Sequence, residues 1–423
     1  MYEKSLFIFR RDLRTQDNNG LIQALRMSKV VLPCFIFDER QIGNHPYRSV
    51  PAFQFMIESL EDLENDLKKR KATLFFFKGI SEKVIERLLK TENISAVFCN
   101  ADYTPFSKER DMAIADVCKA HNVSFHTYDD CLILQPEKTL KPDGTPYTVF
   151  TPFYKRAVKE KVAEPVKNDY INYTSSCTWK DAFVTLKEIL PLRKKYAVKG
   201  GREEALRVLE NSKAYMNYKE VRDFPSRDAT TKLSAHHKFG TVSMRESYHA
   251  IAKNCGTFHT LIQELFWHDF FTLIGMRFPH VYHKSFHEKY DKLKWEANDA
   301  YFKAWCEGKT GFPIVDAGMR QLNENGYMHN RVRMIVASFL TKDLLVDWRK
   351  GERYFAQKLI DYDPAVNNGN WQWAASTGCD AQPYFRIFNP WLQQQRFDKS
   401  CEYIKRWVPE LRDILPEVIH EIY

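Results

Sequence analysis

The residues best suited to chemistry lie in the second half of the chain, where acids and amides occur among tryptophans. Glu264, Trp267, His268 and Phe271 are spaced to share one face of a helix. A carboxylate within an aromatic stripe costs free energy unless a partner satisfies it. Because a purely structural stripe would usually lack the glutamate, the pattern favours a binding pocket.

Two further segments combine polar groups with apolar side chains. Helical spacing brings Asn330, Arg333 and Met334 together, with Arg331 beside them. The stretch 361–373 holds two acids and several amides next to two tryptophans. We interpret it as the wall of a polar, aromatic cavity, and a capped turn between helices is the alternative.

A cluster of hydroxyls precedes the helix-like sequence AHHKFG. The run Thr230-Thr231-Lys232-Leu233-Ser234 follows Tyr218 and Arg222. Hydroxyls and free backbone N–H groups at a helix start suit a diphosphate, although the same residues also serve as an ordinary N-cap.

Three apparent motifs carry no chemistry. The segment 308–310, Gly-Lys-Thr, imitates the end of a phosphate-binding loop, but Lys303 stands where that loop needs glycine. No G-x-G-x-x-G follows an early strand, so nothing predicts dinucleotide binding in the usual way there. His280, His283 and His287 have helical spacing, yet no cysteine or carboxylate completes a metal site, so we expect no metal.

The elements that must position these residues fall into two kinds. Short apolar runs alternate with amphipathic stretches up to about residue 130, which predicts an α/β domain with a parallel five-stranded sheet and helices on both faces. The predicted strands are 6–9, 30–37, 73–77, 96–99 and 123–128, and the helices lie near 20–27, 51–70, 81–91 and 107–121.

The rest of the chain changes character twice. Residues 131–199 lose periodicity and are punctuated by proline and glycine, which indicates a long linker. Residues 200–423 read as helices, with a capping box from Ser243 to Glu246. The predicted fold is therefore an α/β domain at 1–130, a linker, and an all-α domain.

Bulk composition sets limits on partner and compartment. The 423 residues carry a net charge of +9, which suits a polyanionic partner weakly. Nine scattered cysteines without a C-x-x-C pair indicate reduced thiols, and no apolar stretch approaches the roughly 20 residues that span a bilayer. We expect a cytoplasmic protein without membrane contact.

The chain resembles the photolyase and cryptochrome family, most closely the class I cyclobutane pyrimidine dimer photolyases. The similarity begins at FRRDLRTQDN, residues 9–18, and runs to about Tyr423. Its densest matches are GKTGFPIVDAGMRQL at 308–322, MHNRVRM at 328–334, DWRKGERYF at 347–355 and NNGNWQWAASTG at 367–378.

The resemblance implies that the helical domain holds FAD, reduced and anionic in its active state. A neutral amide at Asn367 suits that form of the flavin. The cofactor contacts that it implies are Tyr218, Thr230, Thr231, Lys232, Leu233, Ser234, Leu261, Arg333, Asp361, Tyr362, Asp363 and Asn367.

The resemblance also implies light-driven repair of cyclobutane pyrimidine dimers in DNA, by electron transfer from excited reduced FAD. Glu264, Asn330, Met334 and Asn367 would be catalytic. Trp295, Trp348 and Trp371 would carry electrons to the flavin. The implied contacts to UV-damaged DNA are Arg222, Glu264, Trp267, His268, Phe271, Asn330, Arg331, Trp373 and Gln393. We expect a monomer without an obligate protein partner, associated with the nucleoid when bound to DNA.

A second, light-harvesting chromophore is implied but not identified. Residues 100–106 look like the antenna loop of the family, while Phe106 and Ser107 replace the Asn-Glu pair of the folate-binding type. Methenyltetrahydrofolate, a deazaflavin, FMN or another flavin, and no second chromophore are all open.

The chain departs from the family pattern at two pocket positions, and other functions compete. His268 replaces a common arginine, and Leu261 stands where many relatives have tryptophan. The alternatives are a cryptochrome-like blue-light photoreceptor without repair activity, a 6-4 photoproduct enzyme, and a flavin-free DNA-binding module. The lesion-pocket residues argue against the first, and His329-Asn330-Arg331 lacks the second histidine of the 6-4 branch.

Overall fold

A five-stranded parallel sheet forms the first half of the protein, as the apolar runs predict. The computed structural model of the chain describes residues 1–190, 193–381, 383 and 386–421. The strand order is β3-β2-β1-β4-β5. Its strands are β1 (Tyr2–Phe9), β2 (Ser28–Phe37), β3 (Phe75–Lys78), β4 (Ala96–Asn100) and β5 (Ser124–Tyr128).

Helices cover both faces of this sheet, because successive side chains on a strand point to opposite sides. The helices are α1 (Asn19–Met27), α2 (Glu39–Ile42), α3 (Val50–Lys69), α4 (Ser81–Glu92) and α5 (Pro105–Ala120). Phe7 and Phe9 pack into one apolar cluster with α1 and α3, and Leu6 and Ile8 pack into another with α4 and α5. The predicted α/β architecture is confirmed.

The segment that follows the sheet contains little regular structure. Single β-bridges pair Tyr173 with Val31 and Phe183 with Phe77, so this segment lies against the α/β half. A short 3-10 turn occupies Pro136–Thr139. The two helices are α6 (Phe150–Ala157) and α7 (Leu186–Ile189).

From residue 200 onward every regular element of the described chain is helical, as expected. Ser243 and Glu246 form the predicted capping box at the start of α11. A π-helical turn at Phe339–Asp343 interrupts the path from α15 to α16. The helices are α8 (Arg202–Glu210), α9 (Tyr218–Val221), α10 (Ser234–Phe239), α11 (Met244–Cys255), α12 (Thr260–Arg277), α13 (Asp299–Glu307), α14 (Pro313–Asn325), α15 (Asn330–Ser338), α16 (Trp348–Lys358), α17 (Pro364–Ala375), α18 (Pro390–Phe397), α19 (Glu402–Trp407) and α20 (Pro416–Ile419).

The two halves are joined by apolar contacts and by buried charge. The rings of Phe55 on α3 and Phe239 on α10 stack with centroids 5.4 Å apart. Arg245 on α11 forms ion pairs with Asp17 at 3.0 Å and with Asp130 at 2.8 Å, all three being buried. A buried charge that loses its partner is strongly destabilising, so these ion pairs hold the two halves in one relative position.

Within the described residues, each helix is too short or too polar to cross a lipid bilayer. The same residues contain no group of three or more histidine, cysteine or carboxylate side chains that could bind a metal ion.

Candidate functional site

Helix α12 carries the aromatic stripe, and its side chains divide between surface and interior. Glu264, Trp267 and His268 are partly exposed, whereas Phe271 is buried against Gly369 on α17. Phe271 therefore supports the wall from behind rather than facing solvent. Leu261, one turn before Glu264, is also buried.

The indole of Trp267 lies flat on a ring from another part of the chain. Phe150, at the start of α6, stacks on it with centroids 3.5 Å apart and an interplanar angle of 7°. The backbone N–H of Phe150 donates to Asp380 at 3.0 Å. The segment after the sheet thus contributes directly to the aromatic wall, which no local sequence pattern indicated.

Charged side chains surround the mouth of the pocket. Arg222, directly after α9, forms an ion pair with Glu264, and Arg331 on α15 forms one with Asp223 at 2.8 Å. Desolvation raises the pKa of Glu264, although Arg222 offsets part of that rise. The guanidinium of Arg222 also lies 5.8 Å from the ring centroid of Tyr218. Arg222, Glu264 and Arg331, three implied DNA contacts from different parts of the sequence, therefore lie near one another here.

Asp361 accepts hydrogen bonds from two segments that the resemblance assigns to the cofactor site. Its carboxylate accepts from Ser234 Oγ at 2.6 Å and from Arg333 Nη2 at 2.9 Å. The second oxygen, Oδ1, is buried and makes no hydrogen bond. His329 has an unpartnered buried Nε2, while its Nδ1 accepts from the backbone N–H of Arg331. Unsatisfied buried atoms of this kind require a partner, which indicates a ligand pocket.

The hydroxyl cluster lies beside the same carboxylate. Thr230 Oγ1 is 3.2 Å from the hydroxyl of Tyr327, and Lys232 pairs with Asp228 at 2.7 Å. The hydroxyl of Thr231 accepts from the backbone N–H of the buried Leu233 at 3.4 Å. The segment thus presents hydroxyls and a cation together at the start of α10.

Other predicted pocket residues lie at partly exposed positions. Asn330 is exposed, and its Nδ2 lies 3.9 Å from Sδ of the half-buried Met334. Trp373 on α17 is half-buried. His268 Nδ1 lies 3.2 Å from Asp269 Oδ1, and Gln393 on α18 leaves its Oε1 without a hydrogen bond.

The three tryptophans of the implied electron path belong to one apolar cluster. Trp348 and Trp371 are 1% and 2% exposed, and Trp295 is partly buried against the same cluster. A Cβ on Gly351 would lie 2.2 Å from the ring of Trp371, so glycine makes room for the indole. Burial of this kind also suits an ordinary core.

Asn367 is held by a residue that sequence reasoning missed. Its Nδ2 donates to Oε1 of Glu352 on α16 at 2.9 Å. Glu352 is 4% exposed, and burial raises its pKa to about 7 against the opposing effects of the Asn367 hydrogen bond and the nearby hydroxyls of Tyr47 and Tyr362. In sequence, Glu352 looks like a solvent-facing residue of a charged helix, so only the fold reveals it.

Tyr362 and Asp363 point away from Asp361. Tyr362 lines a cavity between the two halves, where its ring stacks on Tyr47 with centroids 6.2 Å apart. Asp363 accepts backbone N–H groups at the start of α17 and forms an ion pair with Arg11, which follows β1. Three consecutive residues predicted to contact one cofactor thus face three surroundings.

The cavity between the halves has a volume of about 490 Å³ and lies beyond the carboxyl ends of β1 and β2. That edge of a parallel sheet is where such folds bind ligands. Six arginine or lysine side chains and three carboxylates line it, so positive charge is in excess. Thr104 and Phe106 of the predicted antenna loop are part of the wall.

Comparison with known proteins gives consistent matches. The family described as DNA photolyase matches residues 5–169, and the FAD binding domain of DNA photolyase matches residues 261–423. The deoxyribodipyrimidine photo-lyase of Alkalihalophilus pseudofirmus is 38% identical, with 98% of this chain and 88% of the relative aligned.

Solved structures agree. An archaeal photolyase from Sulfolobus tokodaii with two FAD molecules shares 44% identity at a TM-score of 0.90, over 99% of this chain and 92% of that one. A cryptochrome from Synechocystis shares 27% identity at a TM-score of 0.92, with the same coverage of both chains. Since the similarity extends over nearly the whole sequence and fold, the chain belongs to the DNA photolyase family.

Proposed function

We propose that the protein is a DNA photolyase that repairs cyclobutane pyrimidine dimers in light, using reduced FAD bound in its helical half. The observation that carries the proposal is the pocket formed by α9, α12, α15 and α17. It combines the ion-paired, partly exposed Glu264 and the half-buried Trp267 with Asp361, a carboxylate that lacks one hydrogen-bond partner. Carboxylate, aromatic wall and cation lie together at its mouth.

The residues around Asp361 fit FAD. Asp361 Oδ1 offers an unused acceptor and His329 Nε2 an unused donor, since the other nitrogen of the imidazole accepts a hydrogen bond. Thr230, Thr231 and Ser234 supply hydroxyls and Lys232 a cation for the phosphates. When bound, FAD supplies the light-excited electron donor, which the side chains of the protein do not provide.

The protein binds and orients the flipped dimer. Trp267, held flat by Phe150, offers an apolar surface for the fused bases, and Trp373 a second one. Glu264 lies beside this aromatic surface in an ion pair with Arg222, where its carboxyl can hydrogen-bond to the bases. One electron enters the dimer, the two bonds between the bases break, and the electron returns, so repair involves no net oxidation.

We expect Arg222 and Arg331, each held in an ion pair at the mouth of the pocket, to contact the DNA backbone. Such contacts give affinity without sequence preference, which suits an enzyme that recognises a lesion. We further propose that the protein acts as a monomer in the cytoplasm and joins the nucleoid only while bound to damaged DNA.

The decisive experiment is repair of a dimer-containing oligonucleotide by the purified, photoreduced holoprotein, in blue light and in darkness. We expect light-dependent loss of dimers that is strongly reduced in Glu264→Ala and unchanged in Glu3→Ala, a surface glutamate in an exposed ion pair. Bound FAD without repair would overturn the proposal and favour a cryptochrome-like photoreceptor. Absence of flavin would favour a DNA-binding module.

We also propose that the cavity between the halves holds the second chromophore. Its aromatic walls suit a flat ring system, and its excess of cations favours a phosphorylated flavin over a phosphate-free deazaflavin. The relative from Sulfolobus tokodaii was solved with two FAD molecules. We expect two flavins per chain after incubation with FMN or FAD, and one in Met56→Trp, which fills the cavity. A ratio of one in the unaltered protein contradicts this assignment.

A further inference from the structure

A buried hydrogen-bond link joins the cavity between the halves to Asn367. Glu352 occupies its centre, since its carboxylate accepts from Asn367 Nδ2 at 2.9 Å and its backbone carbonyl accepts from the same nitrogen at 3.3 Å. On the other side, the hydroxyls of Tyr47 and Tyr362 lie close to the carboxylate and stabilise its charged form. Glu352, Tyr47 and Tyr362 all line the cavity.

The surroundings of Glu352 allow its carboxyl to gain and lose a proton near neutral pH. Among the described residues its carboxylate forms no ion pair, and the nearby cation is Arg353 on the same helix. The facing groups are Tyr47 and Tyr362, with Asp363 and Tyr282 beyond Tyr362. His45 and Arg48 lie farther along the cavity wall. Burial therefore outweighs stabilisation of the charged form, and the pKa rises to about 7.

The proton state of this carboxyl decides what Asn367 can do. An ionised carboxylate accepts hydrogen bonds only, so it binds the NH₂ end of the amide and leaves the amide oxygen on the opposite side. A protonated carboxyl can also donate, so the amide can turn and accept through its oxygen, giving up the longer hydrogen bond from its nitrogen to the Glu352 backbone carbonyl. The opposite side then receives an acceptor in one state and a donor in the other.

We propose that Glu352 is a positioning residue that acts through Asn367, and that its proton sets which end of the amide faces the flavin. The inference rests on the proposed function in requiring FAD in the helical half. Asn367 cannot ionise, so it cannot respond to pH by itself. Glu352 can respond because its carboxyl titrates, and Tyr47, which lies beside that carboxyl, connects it with the wall of the cavity.

The test measures the ratio of reduced to oxidised FAD bound to the protein between pH 6 and 8, without DNA. The redox potential of the solution is held constant and is read from a reference dye. If one hydrogen bond to the flavin changes, the ratio in the unaltered protein should change across this pH range by about fivefold more than the ratio in Glu352→Gln. Glu92→Gln alters a buried glutamate of α4 that lies outside the link, so its profile should match the unaltered protein. Profiles that coincide for the unaltered protein and Glu352→Gln overturn the inference.

Tyr47→Phe keeps the inference testable if Glu352→Gln fails to bind FAD. Removing this hydroxyl takes away a group that stabilises the ionised carboxylate, so the inflection should move to higher pH. An unmoved inflection contradicts the link. The readout needs bound FAD but no DNA. A protein that shows the pH response but repairs no dimers would therefore disprove the repair function and leave the role of Glu352 intact.

Discussion

A Cβ atom on Gly369 would lie 2.1 Å from Cδ1 of Phe271, so α12 and α17 meet at a point where only glycine fits. This contact brings the helix of Glu264 and Trp267 against the helix of Asn367 and Trp371.

Gly369→Ala should therefore lower the free energy of unfolding by about 1–3 kcal/mol, because the added methyl overpacks a buried contact. Chemical denaturation measures the change, and absorbance measures the FAD retained. Phe271→Ala in the same chain should relieve the clash, so the double variant should be less destabilised than the sum of the two single changes. Additive effects would mean that the two residues do not compete for space.

Phe150→Leu should weaken binding of dimer-containing DNA by roughly two- to tenfold, because Trp267 loses its stacking partner. Fluorescence anisotropy of a labelled oligonucleotide measures the affinity. Phe258→Leu is the matched control, since that ring is 84% exposed. Equal affinities for both variants would remove Phe150 from the lesion pocket.

Trp371→Phe should abolish most of the light-driven reduction of oxidised bound FAD in the presence of an external reductant. The buried indole is the member of the implied path that shares α17 with Asn367. Absorbance during illumination measures the rate. Trp179→Phe, at a stacked tryptophan against the α/β half, should behave as the unaltered protein. An unchanged rate in Trp371→Phe would require a different electron path.

Arg11→Met should destabilise the protein by about 3 kcal/mol at pH 7, because it leaves Asp363 buried without its main cation. Burial by itself would raise the pKa of Asp363, but Arg11 and Lys238 outweigh it and hold that pKa well below its usual range. The stabilisation is therefore complete above the unfolded-state pKa of about 4 and is lost as the pH falls further.

The difference between Arg11→Met and the unaltered protein should accordingly shrink on acidification below pH 4, as urea denaturation at several pH values would measure. Lys29→Met removes one partner of an exposed ion pair with Glu3 and should change stability little at any pH. A constant difference down to the lowest pH would show that Arg11 does not stabilise through the charge of Asp363.

Much of the fold followed from local pattern. The apolar runs predicted four of the five strands to within two residues, whereas β1 begins at Tyr2, four residues before its predicted start at Leu6. The stripe on α12 indicated a helix with one functional face. Sequence spacing could not predict the surroundings of residues 361–363, because their partners are remote. Arg11, for example, lies 352 positions from Asp363. Glu352 escaped notice for the same reason, since its burial depends on Tyr47 and on α17.

The ion pair between Arg11 and Asp363 has a consequence for how this protein can change over generations. Asp363 caps the helix that carries Asn367 and Trp371, and its counter-charge comes from the opposite end of the gene. A recombinant that took its first 130 codons from a distant relative would misplace that helix unless the donor also encoded a cation at this position. The two halves must be inherited as a matched pair.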